Sequence, residues 1–268
     1  MPDPSPAVLL TADGVRLAAE HWPGERDAGV VLAHGFTGHA RNADVRRIAG
    51  GLHGAGFGVL VPDLRGHGRS GGVSTAGADE RLDVAAAVEW LRGAGYRRIA
   101  VVGFSMGGSA VLRHAGLGGD ADAVVAVSSP GTWFERGTRS MRLVHWMFEK
   151  KTGRLAVRLL RNTRVDARGW DAPPEAPADV VARIAPRPLL LVHGDADHYF
   201  PLHHLDALRT GAPTATVWIE AGMGHAELAS GDELIARIAA WVRDALTGRA
   251  GDVGEVVSAP VCHDERRD

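Results

Sequence analysis

Short apolar runs alternate with longer stretches whose apolar residues recur every three to four positions. Val30–Ala33, Val59–Val61, Ile99–Gly103, Ala123–Val127, Leu189–Val192 and Ala215–Ile219 are unbroken apolar or small runs bounded by Gly, Pro or Asp, the pattern of strands buried on both faces. Between them the periodicity predicts helices over Asn42–Leu52, Ala78–Leu91, Met106–Ala115, Leu202–Leu208 and Leu228–Leu246. Ahead of them, Ala7–Thr11 and Val15–Trp22 flank the Asp13-Gly14 turn and predict an antiparallel hairpin. Strand and helix in alternation predict an α/β fold, a mostly parallel sheet with helices on both faces.

Two segments fall outside this alternation. Residues 131–185 separate two core strands and carry helical signals of their own, which predicts a small helical cap inserted into a core of residues 1–130 and 186–247. Residues 248–268 are charged and without periodicity, and predict a flexible tail.

Composition narrows the classes. With 268 residues, 45% hydrophobic and 23% charged, the chain can bury an ordinary core without cross-links. Its formal net charge of −2 gives no global basic field, so nucleic acid is not expected as a partner. The single cysteine, Cys262, excludes an intrachain disulfide and a cysteine zinc site. The stretch MPDPSPAVLLTADG lacks the basic start and apolar run of a secretory signal, and no stretch approaches a membrane span, so the expected location is cytoplasmic.

The sharpest chemical signal is Gly103-Phe104-Ser105-Met106-Gly107, where the strand Ile99–Gly103 passes into the helix Met106–Ala115. A nucleophile on a tight strand-to-helix turn stands exposed, and only glycine two residues before and after it avoids Cβ clashes. The helix N-terminus directs free N–H groups at a developing oxyanion. Serine needs a base and a group to orient that base. His225, in Gly224-His225 after the strand Ala215–Ile219, is the expected base. The loop His193-Gly194-Asp195-Ala196-Asp197 supplies the acid, and residue chemistry alone leaves Asp195 and Asp197 both open. His34-Gly35-Phe36-Thr37-Gly38 follows the first buried strand, so the main-chain N–H groups of Phe36 and Met106 are the expected oxyanion hole. His34 itself is expected to brace that loop.

These motifs, together with Asp63-Leu64-Arg65-Gly66-His67-Gly68-Arg69-Ser70, resemble the α/β-hydrolase family in order and spacing from about Ala7 to Leu246. The resemblance implies Asp197 as the acid, four residues before Pro201, and makes Asp63–Ser70 a structural loop beside the site. It is strongest to small-cap carboxylesterases, monoglyceride-lipase-like proteins and the serine aminopeptidase-like branch. It implies a serine hydrolase that cleaves carboxylic esters through an acyl-enzyme on Ser105, Asp197 and His225. Thioesterase, acyltransferase, lactonase or amidase chemistry on the same site is the alternative, and a non-hydrolytic small-molecule binding protein is the alternative from another class.

No cofactor and no metal is expected, since the serine is the nucleophile and no His-Glu-x-x-His motif occurs among 13 histidines. His203-His204 is expected at the surface. From Trp133 to Trp170 ten basic residues face three acidic ones, which is electrostatically wrong for holding a cationic amine. The expected partner is a small-molecule ester, with an anionic ester or an anionic membrane surface as what the basic cap would meet. Trp133, Phe134, Trp146 and Phe148 are the expected substrate-pocket residues.

Overall fold

The computed structural model describes residues 3–249 and the backbone of 256–258. Among the described residues nine strands form one sheet: β1 (Ser5–Leu10), β2 (Arg16–Trp22), β3 (Glu25–Ala33), β4 (Phe57–Pro62), β5 (Arg98–Phe104), β6 (Ala123–Val127), β7 (Leu189–Gly194), β8 (Thr216–Glu220) and β9 (Val256–Ser258). Their order across the sheet is β1-β2-β4-β3-β5-β6-β7-β8-β9. The β1–β2 and β2–β4 pairs are antiparallel and every other pair is parallel. The edge hairpin is therefore as expected. The tail expected at 248–268 lies largely outside the described residues, although Val256–Ser258 within it pairs along β8.

Alternation along each buried strand divides the core in two. Val31, Val101, Val124 and Leu191 pack with α2 (Glu80–Gly93), α3 (Met106–Gly116) and α7 (His203–Gly211) on one face. Val30, Val102, Val125 and Val192 pack with α1 (Ala43–Gly54) and α9 (Asp232–Thr247) on the other. Both faces are covered, which is why these strands read as unbroken apolar runs. The helix expected over Leu228–Leu246 is shorter. A separate turn, α8 (Ala226–Ala229), precedes it, and the chain is extended at Ser230 and Gly231 before α9 starts.

Between β6 and β7 the chain forms α4 (Arg139–Glu149), α5 (Lys151–Arg161), α6 (Pro177–Val180) and a 3₁₀ turn, Val181–Ile184. Thr138 caps α4, its hydroxyl accepting the Met141 N–H at 3.1 Å. Gly153 lets α5 approach α4, since a Cβ there would lie 2.1 Å from the Trp146 carbonyl oxygen. Residues 131–185 do not behave as one unit: α6 and the 3₁₀ turn pack on α3 and bury Val180, Val181 and Ile184. Only α4 and α5 stand away from the sheet. Among the described residues no helix is long and apolar enough to cross a membrane.

Candidate active site

Parallel pairing aligns the carboxyl ends of β3, β5, β7 and β8 along one edge, and the loops leaving those ends carry the residues singled out above. The β4-β3-β5 order makes β3 the point where successive strands diverge to opposite sides, the position where open α/β sheets leave a crevice.

Ser105 has φ 53° and ψ −118°, a conformation that non-glycine residues rarely adopt and that is held here by its surroundings. The Ser105 N–H donates to the Val127 carbonyl at 2.9 Å. A Cβ on Gly103 would lie 2.2 Å from the Gly107 carbonyl oxygen, and one on Gly107 would lie 2.2 Å from that of Ala33. Both glycines are therefore required by close backbone approach, and the second brings the turn against the end of β3.

Three side chains meet at this turn. Ser105 Oγ lies 2.9 Å from His225 Nε2, and His225 Nδ1 lies 2.8 Å from Asp197 Oδ2. With Nδ1–H donating to the carboxylate, Nε2 is left as the acceptor for the serine hydroxyl. The other oxygen, Asp197 Oδ1, accepts the N–H groups of Tyr199 at 2.8 Å and Phe200 at 3.1 Å. Burial pushes the Asp197 carboxyl up, but the His225 hydrogen bond and charge and the two N–H donors outweigh it and hold it below the usual range. The Tyr199 ring lies over the imidazole at 4.3 Å between centroids. Asp195 is turned away: its Oδ1 accepts the Gly222 N–H at 2.6 Å, tying its loop to the one after β8. The choice that residue chemistry left open is thus resolved geometrically, and it is Asp197 that reaches His225.

The loop after β3 packs against the serine turn. A Cβ on Gly35 would lie 3.2 Å from Ser105 Cβ. The Phe36 N–H has no backbone partner among the described residues, and Met106 is the first residue of α3, whose N–H has no intrahelical acceptor. His34 is fully buried. Its Nε2 accepts the Leu64 N–H at 3.0 Å and its Nδ1–H donates to the Gly35 carbonyl at 2.8 Å. Burial lowers its pKa to about 3, so the ring is a neutral brace. The neighbouring loop is similarly tied: Asp63 accepts the N–H groups of Ala40 at 2.7 Å and Arg69 at 2.9 Å.

Above Ser105 is a cavity of about 550 Å³ roofed by α4. Of the residues singled out for a substrate pocket, Trp133, Phe134 and Phe148 line it. Trp146 does not. Two residues along a helix is roughly 200° of rotation, so when Phe148 faces the cavity Trp146 faces outward, where it is 38% exposed. Met141, Val144 and Met147 line the cavity beside Phe148, and helical phase from any one of them would have found the others.

Sequence reasoning also missed Glu227, two residues after His225, whose Oε1 accepts the Gly35 N–H at 2.6 Å on the cavity wall. Burial raises its pKa. The surface expectation for His203-His204 holds for His203 alone. His204 is buried, and both Nε2 atoms lie 3.1–3.2 Å from Glu135 Oε2. These three groups are close enough to surround an ion. The Gly131 N–H, however, donates to His204 Nδ1, so the neutral ring carries its proton on Nε2, which makes that atom a donor to Glu135 rather than a metal ligand.

Comparison with known proteins agrees with this architecture. Residues 24–181, more than half of the chain, match the family described as serine aminopeptidase, S33. A carboxylesterase of Bacillus subtilis (strain 168) is 38% identical over 84 residues, 31% of this chain and 33% of that protein. The chain thus matches only a third of that relative's length. An uncharacterised protein of Escherichia coli O157:H7, YfhR, is 27% identical over 77% of this chain and 69% of its own length. Among solved structures, the Pyrococcus furiosus esterase Pf2001 superimposes with a TM-score of 0.71 at 22% identity, covering 91% of this chain and 93% of that one. The chain belongs to the serine aminopeptidase S33 family of α/β-hydrolases.

Proposed function

We propose that the protein is a serine carboxylesterase. The reading rests on one observation, the hydrogen-bonded chain from Ser105 Oγ through His225 to Asp197 beneath a cavity walled by Met, Phe and Trp side chains. Ser105 Oγ attacks the ester carbonyl carbon as its proton passes to His225 Nε2, and Asp197 stabilises the imidazolium. The carbonyl oxygen takes the negative charge and accepts the N–H groups of Phe36 and Met106. The tetrahedral adduct collapses, the C–O bond to the alcohol breaks, and His225 returns the proton to the leaving oxygen. Water then gives a proton to His225 and attacks the acyl-serine, releasing the acid and restoring Ser105.

The aminopeptidase chemistry in the family's description requires carboxylates free to hold an amine. The cavity acids contributed by residues 131–170 are each engaged, Glu135 by two histidines, Glu149 by Arg136 and His145, Asp166 by Arg168, and Glu227 on the wall accepts the Gly35 N–H. An ester substrate makes no such demand. The outer face of α4 and α5 supports an anionic substrate group or anionic lipid as what it meets. Leu159 and Leu160, 73% and 80% exposed, lie beside Arg158 and Arg161, which form no ion pair among the described residues.

A fluorophosphonate probe and a panel of nitrophenyl esters, CoA thioesters and aminoacyl anilides test the assignment. Native protein is expected to be labelled and to turn over the esters fastest, and Ser105→Ala to do neither. Native protein that is not labelled would favour a binding protein, and a preference for anilides would return the family's peptidase chemistry.

A further inference from the structure

We propose that Glu227 is a positioning residue that sets the oxyanion-hole loop for the reaction at Ser105. The inference rests on the acyl-transfer reading of that site. The peptide that presents the Phe36 N–H also carries the Gly35 carbonyl. That carbonyl accepts His34 Nδ1–H at 2.8 Å and the Gly38 N–H at 3.0 Å, so one side of the loop is clamped from within. The preceding peptide is clamped from across the chain: the Gly35 N–H donates to Glu227 Oε1 at 2.6 Å, a link spanning 192 residues.

Two consecutive peptides are thereby held, and the N–H they leave without a partner among the described residues is that of Phe36. Position supports the same role. A single point, where a Gly35 Cβ would be, lies 3.2 Å from Ser105 Cβ and 3.2–3.3 Å from both Glu227 carboxyl oxygens, so the carboxyl adjoins the nucleophile's turn. Its own backbone is fixed. Ala226 before it has φ 52° and donates its N–H to Ser128 Oγ, and Arg47 donates to the Glu227 carbonyl at 3.2 Å.

Among the described residues Glu227 has no ion-pair partner, unlike the acids on the opposite wall of the cavity. One feature separates it from Asp197: Asp197 accepts from His225 Nδ1 as well as from main-chain N–H groups, whereas among the described residues the Glu227 side chain accepts a main-chain N–H alone. An uncharged acceptor of the same length should therefore replace it.

The test compares Glu227→Gln, which keeps an acceptor oxygen, with Glu227→Met, which keeps the length and has none. Glu227→Ala gives the same comparison should the Met variant not fold. Nitrophenyl acetate turnover is measured together with inhibition by a trifluoromethyl ketone, whose adduct places an oxyanion in the hole. The Met variant is expected to lose about 10- to 100-fold in kcat with KM changed less than about threefold, and to bind the ketone more weakly by the same factor as kcat/KM falls. The Gln variant is expected within about threefold of native by both measures. A Met variant as active as native overturns the proposal. So does a Gln variant as impaired as Met, because the charge would then matter and the Gly35 contact would not. Failure of the acyl-transfer reading itself is seen separately, as native-like turnover in Ser105→Ala.

Discussion

At the floor of the cavity each of the three hydrogen-bonded side chains follows the end of a parallel strand, whereas its roof is a helix, α4, that buries none of its residues. Ser105, Asp197 and His225 follow β5, β7 and β8; close approaches at Gly103 and Gly107 fix the Ser105 turn, and the Tyr199 and Phe200 N–H groups hold the Asp197 carboxylate. The roof is held by its cap, by the packing of α5 on α4 and by a few contacts to the floor: Thr138 Oγ1 donates to the Tyr199 carbonyl at 3.2 Å, the Phe148 ring lies 4.8 Å from that of Phe36 between centroids, and past α5 Ser74 donates its N–H to the Arg164 carbonyl at 2.7 Å. The difference assigns distinct physical roles. Geometry accurate enough for proton transfer is built into the sheet edge. On the esterase reading, the shape and charge that meet substrate come from a helical pair that buries little of itself, with Phe148 resting on the Phe36 ring.

The comparison breaks most sharply at the acid. Asp197→Asn is expected to lower kcat by about 10⁴, because the amide favours the wrong imidazole tautomer. Asp195→Asn, which loses only a loop-to-loop hydrogen bond, is expected to cost less than about tenfold. Steady-state kinetics on a nitrophenyl ester decides between them. Equal losses would show that loop placement, and not the tautomer, is what the floor supplies.

Acid should weaken the floor before it touches the roof. His34 and His67 are buried and neutral, their pKa values lowered from 6.5 to about 3 and about 4, with burial the main cause. At these two rings the unfolded chain binds more protons than the folded one below about pH 6.5, so their contribution to stability is complete above that value. It is lost progressively as the pH falls toward the folded values. The thermal midpoint is expected to fall by about 5–10 °C between pH 7 and 4.5. His67→Gln should flatten that slope. A midpoint unchanged down to pH 4.5 would mean the two rings carry protons in the folded state.

The smallest effect belongs to the roof. Arg158→Gln with Arg161→Gln is expected to lower the kcat/KM ratio for matched anionic over neutral esters by about two- to fivefold at low salt. It should have little effect near 1 M, where the Debye length is about 3 Å. Arg154 is left in place, since it donates to the Phe148 carbonyl at 2.7 Å and lines the cavity. Neutral ester turnover should not change. A ratio insensitive to both salt and substitution makes the arginines a solvated face.

Strand runs and the G-x-S-x-G turn were legible because both are local. A buried parallel strand needs an unbroken apolar run, and a strained elbow needs glycines at fixed offsets from the serine. Ser105, His225 and Phe36 follow from those rules and from chain order. Asp197 needed the resemblance as well, since Asp195 satisfies the same chemistry at a distance of two residues. The break at Ser230-Gly231 was hidden by apolar residues that keep helical phase across it.

Tertiary structure alone decided the rest. Phe148 and Trp146 are equally apolar, and which one lines the cavity depends on how α4 is rotated over the sheet edge. Glu227 is an ordinary glutamate in the sequence, and its place beside the nucleophile exists only because the loop after β8 reaches back along the carboxyl edge of the sheet, past β7, β6 and β5, to the loop after β3, a contact between residues 192 apart. Periodicity and turn chemistry act over a few residues and are written in order along the chain. Contacts between loops depend on which strands are neighbours, and that is fixed only when the whole sheet is assembled.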